Sequence, residues 1–175
     1  LAIMAGFAHP PGLWIPVSVH PNSSQFLHHA ISGLSILEIA FALPRGSHQE
    51  KLIDGVLEYA KAHKRRWSFL ISPESLSLSI LDLHGWRGDG VIASLNTEQE
   101  NQFAKNFSQP IVNISGTILT SSVPQVVIDN RLVGQLAADH LTGRGLKNFA
   151  YYGLEGVGFS EHRYDGFRSR LSQLG

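Results

Sequence analysis

The sequence predicts an α/β domain, a doubly wound parallel sheet flanked by helices. Two features of residues 34–175 carry that expectation. Short, near-continuous apolar runs alternate with longer runs whose apolar residues recur at helical spacing. The apolar runs also lack strict polar alternation, as strands covered on both faces do. Such alternation folds as strands joined by right-handed crossover helices.

The elements follow in order. LSILEIAFAL (34–43) reads as a doubly buried strand, broken by Pro44, Arg45 and Gly46. SHQEKLIDGVLEYAKAHK (47–64) places Leu52, Val56, Tyr59 and Ala60 on one helical face, with Ser47 and Glu50 spaced as a capping box. WSFLIS (67–72) is a second strand, SLSLSILDLH (75–84) a short helix, and GDGVIASL (88–95) a third strand. TEQENQFAKNF (97–107) is a helix with Thr97 at its N-cap and acids in its first turn. PIVNIS (110–115) and VPQVVID (123–129) are strands four and five. NRLVGQLAADHLTGRG (130–145) is a helix ended by glycine, KNFAYYGL (147–154) a sixth strand, and SEHRYDGFRSRLSQL (160–174) a last helix.

Residues 1–33 stand apart, holding four of the eight prolines and no Asp, Glu, Lys or Arg. No period survives there for more than a few residues, so an irregular N-terminal arm, native or appended, is expected. Its start lacks the basic region of a signal peptide. The adjacent His28 and His29 have no third ligand nearby in sequence.

Composition excludes several classes. With 43% hydrophobic and 16% charged residues and a formal net charge of zero, the chain is not disordered. No apolar window is long enough to span a bilayer. The absence of cysteine excludes disulfides and thiolate chemistry and suits a reducing compartment. Fourteen basic against fourteen acidic residues leave no surplus for phosphates. The one dense basic run, Lys64–Arg66, sits where cations complement a helix C-terminus. Any DNA-binding part therefore lies outside this chain.

In a doubly wound sheet, ligands bind beyond the carboxyl ends of the strands. That rule singles out the loops at 43–48, 94–97, 113–123, 129–130 and 153–163. The last contains Gly153-Leu-Glu-Gly-Val-Gly158, which lacks the dinucleotide spacing and follows the wrong strand. It is either a loop capping the next helix or a ligand-facing one. A phospho-acceptor receiver fails for want of acids after strands one and three. Serine hydrolase chemistry fails for want of a nucleophile elbow. No spacing points to catalysis, and no metal or cofactor is implied.

What remains is polar chemistry at strand ends. Asn113, Asp129 and Arg163 are candidate ligand contacts, with Arg45 after the first strand a fourth. An arginine fork beside Asn and Asp suits vicinal hydroxyls or a carboxylate. Structural alternatives stand beside these roles: Asp129 as a helix cap, Arg163 paired with Glu161 or Asp165.

The stretch VPQVVIDNRLVGQLAADHLTGRGLKNFAYYGL, followed by Arg163-Tyr-Asp-Gly166-Phe167, resembles the ligand-binding domain of the lactose/galactose-repressor family. The segments around Trp67-Ser-Phe and Gly85-Trp86-Arg-Gly-Asp-Gly90-Val-Ile look closest to xylose-operon regulators. The resemblance covers residues 35–175. It implies a periplasmic-binding-protein-like sensor of two α/β lobes that close on a small sugar effector, a pentose such as xylose, and thereby change a dimer's affinity for operator DNA. It implies no enzyme activity, no membrane partner and a cytoplasmic location. Arg163 matches the family's sugar-holding arginine, Asn113 lies where relatives place a polar sugar contact, and Asp129 matches a D-N pair. Two departures stand out: no helix-turn-helix is present in 1–33, and the chain carries mainly the first lobe, residues 34–175. A transport solute-binding protein, which shares the two-lobe fold, is the alternative reading.

Overall fold

The computed structural model describes residues 17–20, 35–44, 46–73 and 76–175, the first of these segments as backbone. Five parallel strands form the sheet: β2 (Leu37–Ala42), β3 (Trp67–Leu70), β4 (Gly90–Ala93), β5 (Ile111–Asn113) and β6 (Gln125–Ile128). Ahead of them comes β1 (Val17–His20), antiparallel to β6, which gives the order β1-β6-β5-β4-β2-β3. The first three helices are α1 (Ser47–Ala62), α2 (Glu98–Lys105) and α3 (Asn130–Gly143), and α4 (Gly158–Leu174) closes the chain. The expected α/β class stands, and the chain reverses direction across the sheet after β3.

Alternation along the central strands builds a core on each face. Phe41 and Leu43 turn toward α1, where Ile53, Val56 and Leu57 meet them, and Phe41 stacks on Phe69 at 5.6 Å. Ala40, Ala42, Val91 and Ala93 turn the other way, against Ile80, Leu83 and Ala104. Small residues on that face let α2 and the 3-10 turn Ile80–Leu83 approach closely. β2 is buried only over its second half; Leu37 and Glu38 are exposed.

Helices α3 and α4 pack chiefly on each other. Their backbones meet at glycine: a Cβ on Gly134 would stand 2.1 Å from Arg163 O, and one on Gly166 only 2.0 Å from Arg131 O. Arg131–Asp165 (3.1 Å) and Arg170–Asp139 (2.6 Å) bridge the same pair.

Several sequence expectations are corrected. The 147–154 segment is not a strand, because no described strand lies beside it to share a ladder. Phe149 and Tyr151 pack on Phe167, while Tyr152 is 97% exposed. The helix expected over 75–84 contracts to the 3-10 turn, capped by a box between Ser79 and Asp82. Gly46, not Ser47, holds the N-cap of α1 and has no side chain to cap with, so the Ser47–Glu50 box does not form. Val17–His20 is a strand within a segment expected to be irregular.

Candidate functional site

β4, β5 and β6 end at one rim of the sheet, and Asn113 closes β5 there. It is wholly buried, and its carboxamide is fully used. Oδ1 accepts from Leu95 N (3.1 Å) and Ser115 N (2.9 Å), while Nδ2 donates to Ser115 O (3.2 Å) and Ser121 Oγ (3.3 Å). A primary amide has little further capacity. Asn113 therefore shapes the rim by locking the loop after β4 to the loop after β5.

The loops it locks carry a second polar layer. Ser115 Oγ lies 2.8 Å from Asn96 Oδ1 and 2.9 Å from Thr117 Oγ1, and Gln125 Nε2 donates to Ser115 O at 2.7 Å. Thr97 caps α2 as its sequence position predicts, in a box with Glu100. A buried asparagine, Asn101, ties α2 to the same loop: its Oδ1 accepts from Ser122 N (2.8 Å) and its Nδ2 donates to Thr120 O (3.1 Å).

Asp129 takes the capping alternative left open by the sequence. Its Oδ1 accepts from Leu132 N at 3.0 Å, meeting one of the orphan amides at the start of α3. The next residue, Asn130, is 6% exposed and donates from Nδ2 to Ile128 O (3.3 Å).

Arg163 does not pair with either acid expected for it: Asp165 meets Arg131, and Glu161 accepts from Gly156 N. Its Nε donates to Asn130 Oδ1 at 2.9 Å, and its guanidinium lies 5.2 Å from the centre of the Phe159 ring. Both terminal nitrogens are without a hydrogen-bond partner among the described residues. Asn130, Phe159 and Val127 surround Gly116: a Cβ there would lie 3.5 Å from both Asn130 Nδ2 and Phe159 Cβ and 3.8 Å from Val127 Cγ1. Gly158 N donates to Thr117 O (2.7 Å), seating the start of α4 on the loop after β5.

The structure thus brings Arg163 and the Asp129–Asn130 turn together, with Asn113 forming the floor of the neighbouring loops. Arg45 and the pair His28–His29 lie outside the described residues. The glycine loop is not a phosphate cradle: Leu154 N donates to Ser160 Oγ, Gly156 N to Glu161 Oε1 and Gly158 N to Thr117 O. No group of three or more metal-ligating side chains occurs among the described residues. A shallow cleft of about 650 Å³ lined by His84, Trp86, Phe103 and Phe107 lies where residues 84–87 lead into β4, at the opposite rim. Phe159 escapes sequence reasoning, as does the bond of Asn130 to Arg163, since both depend on contacts across the α3–α4 crossing.

Residues 41–130 match the family model described as the XylR N-terminal domain. The xylose operon regulatory protein of Escherichia coli (strain K12) is 31% identical over 134 residues, which is 73% of this chain and 34% of that protein. The chain belongs to the XylR family. The protein of the same name from Haemophilus influenzae is 22% identical over 116 residues. Among solved structures, the xylose-binding transcription activator XylR superposes with a TM-score of 0.62 at 26% identity, covering 78% of this chain and 36% of that one. The transcription regulator CcpA of Lactococcus lactis gives a TM-score of 0.62 at 20% identity. A periplasmic solute-binding protein of Actinobacillus succinogenes with bound D-allose gives 0.57 at 17%. Those two share the fold. This XylR-family chain spans about a third of the length of the curated relatives it matches. No helix among its described residues is long and apolar enough to cross a membrane.

Proposed function

We propose that this XylR-family chain is the sugar-sensing part of a transcription regulator, and that its effector is a pentose of the xylose type. The observation that carries the reading is Arg163, whose fork is held at Nε while its terminal nitrogens have no partner among the described residues, beside the carboxyl ends of the strands. A guanidinium presented this way suits adjacent hydroxyls on a sugar. Phe159 beside it offers an apolar ring face for the sugar's C–H groups. Asp129 has a second carboxylate oxygen for a hydroxyl donor beyond the one engaged at Leu132 N.

In this reading the effector sits beside Arg163 at the carboxyl ends of the strands, and closure of the two lobes on it raises or lowers affinity for operator DNA. A ligand shifts such an equilibrium only by its difference in affinity for the open and closed forms. The DNA is held by a module outside this chain, the protein works as a homodimer in the cytoplasm, and no catalysis is involved. The membership in the XylR family and the xylose-binding activator among the structural neighbours support this reading over a transport solute-binding protein.

The test is calorimetric titration of D-xylose into the whole protein and its Arg163→Ala variant. Loss of affinity by at least tenfold is expected. Unchanged affinity removes Arg163 from the site, and no D-xylose binding by the unaltered protein removes the pentose.

A further inference from the structure

We infer that Asn130 is a positioning residue for the effector site, acting on the ligand through Arg163. The inference rests on the reading above, that Arg163 meets the sugar. Three observations carry it. Asn130 is buried, at 6% exposure, so its amide is not available to a ligand without rearrangement. Its Oδ1 is the hydrogen-bond acceptor of Arg163 Nε at 2.9 Å, across 33 residues of sequence. Its Nδ2 donates to Ile128 O, the last residue of β6, so a single side chain joins the arginine to the end of the sheet.

The physical consequence follows from the mobility of arginine. A free guanidinium carries about 2 kcal/mol of rotamer entropy, which a ligand must overcome on binding. Asn130 holds the Nε edge and the Phe159 ring lies 5.2 Å from the guanidinium carbon, so the side chain is restrained before a ligand arrives. Such preorganisation raises affinity without adding a contact to the ligand. Asn130 is also the first residue of α3, where the chain leaves the sheet for the α3–α4 pair. Arg163 is thereby referenced to the end of β6.

The experiment is a double-mutant cycle on the whole protein, read as Kd for D-xylose with thermal unfolding as a control. Asn130→Ala is expected to weaken binding about tenfold in the unaltered background, and to cost no further affinity in the Arg163→Ala background. Asn130→Asp retains the acceptor for Nε but gives up the donor to Ile128 O, and is expected to lose clearly less affinity than Asn130→Ala. Equal losses from Asn130→Ala in both backgrounds overturn the inference, because the residue then acts independently of Arg163. Equal losses from Asn130→Ala and Asn130→Asp overturn it as well, and the aspartate variant keeps the test informative where the alanine variant fails to fold. If Arg163→Ala itself leaves Kd unchanged, it is the site reading that fails, and the two failures are distinguishable.

Discussion

Gly134 lies directly against the backbone of Arg163: a Cβ on this glycine would come within 2.1 Å of the arginine's carbonyl oxygen. The helix crossing that sets the depth of α4 thus also sets the position of the candidate sugar contact. Gly134→Ala must push α4 away, and backbone cannot yield as a flexible side chain does. A loss of about 2–4 kcal/mol in unfolding free energy is expected, with weakened D-xylose binding alongside it. Gly55→Ala provides the contrast, since Gly55 lies on an exposed turn of α1 with nothing within 4 Å of the new methyl. That variant should gain about 0.5–1 kcal/mol. Chemical denaturation of the two variants side by side checks both signs.

Removing the Asn113 side chain leaves Leu95 N and Ser115 N without their acceptor in a buried setting. Each stranded amide costs about 1–3 kcal/mol. Asn113→Ala is therefore expected to lose roughly 2–5 kcal/mol, with amide hydrogen exchange accelerating at residues 94–97 and 114–117 before it does in α1. Exchange that rises uniformly through the sheet would contradict the role given to Asn113.

Lys64 holds a left-handed conformation at φ 49° just past the C-cap of α1. Arg65 N returns to Ala60 O (2.8 Å) and Lys64 N to Lys61 O (3.1 Å), the bonding of a Schellman turn, where glycine is favoured. Lys64→Gly is expected to stabilise the chain by about 1 kcal/mol, and Lys64→Val to destabilise it. Melting temperatures of the two variants must move in opposite directions.

Glu98 accepts from Gln102 Nε2 (2.6 Å) and Asn101 Nδ2 (3.2 Å), and those hydrogen bonds, the former foremost, hold its carboxyl below its ordinary value of 4.5. A depressed folded value means the stabilisation is present above pH 4.5 and is lost as pH falls through the folded value. The side chain is exposed, so the effect is small and screened by salt. Glu98→Gln should melt below the unaltered chain at pH 6 at low salt, with the gap closing in acid. A gap that widens in acid would show the opposite sign.

Local signals made most of the fold legible. Thr97 and Glu100 lie three residues apart and form their box; Gly145, at φ 81°, ends α3 as its position forecasts. The box at Ser47–Glu50 has the same spacing yet does not form, because Gly46 takes the capping position. Alternating strands and helices gave the sheet, but the 147–154 segment lacks the neighbour that would make it one. The site was legible only in part. The Asp129–Asn130 pair stands out at a strand end and Arg163 at the start of the last helix, whereas the partner of Asn130 could not be foreseen and Asn101 does not stand out. Their bonds to Arg163 and Ser122 span 33 and 21 residues, and no spacing rule reaches across such distances.

The outward edge of the 146–154 run bears on how this chain behaves at high concentration. Leu146, Tyr152 and Leu154 are 50%, 97% and 55% exposed in a run that belongs to no strand. Bare apolar β-like segments recruit strands from other molecules, and natural edges counter this with charge. Self-association is then expected to start at Leu146, Tyr152 and Leu154, and Tyr152→Lys is expected to raise the concentration at which the chain stays dispersed.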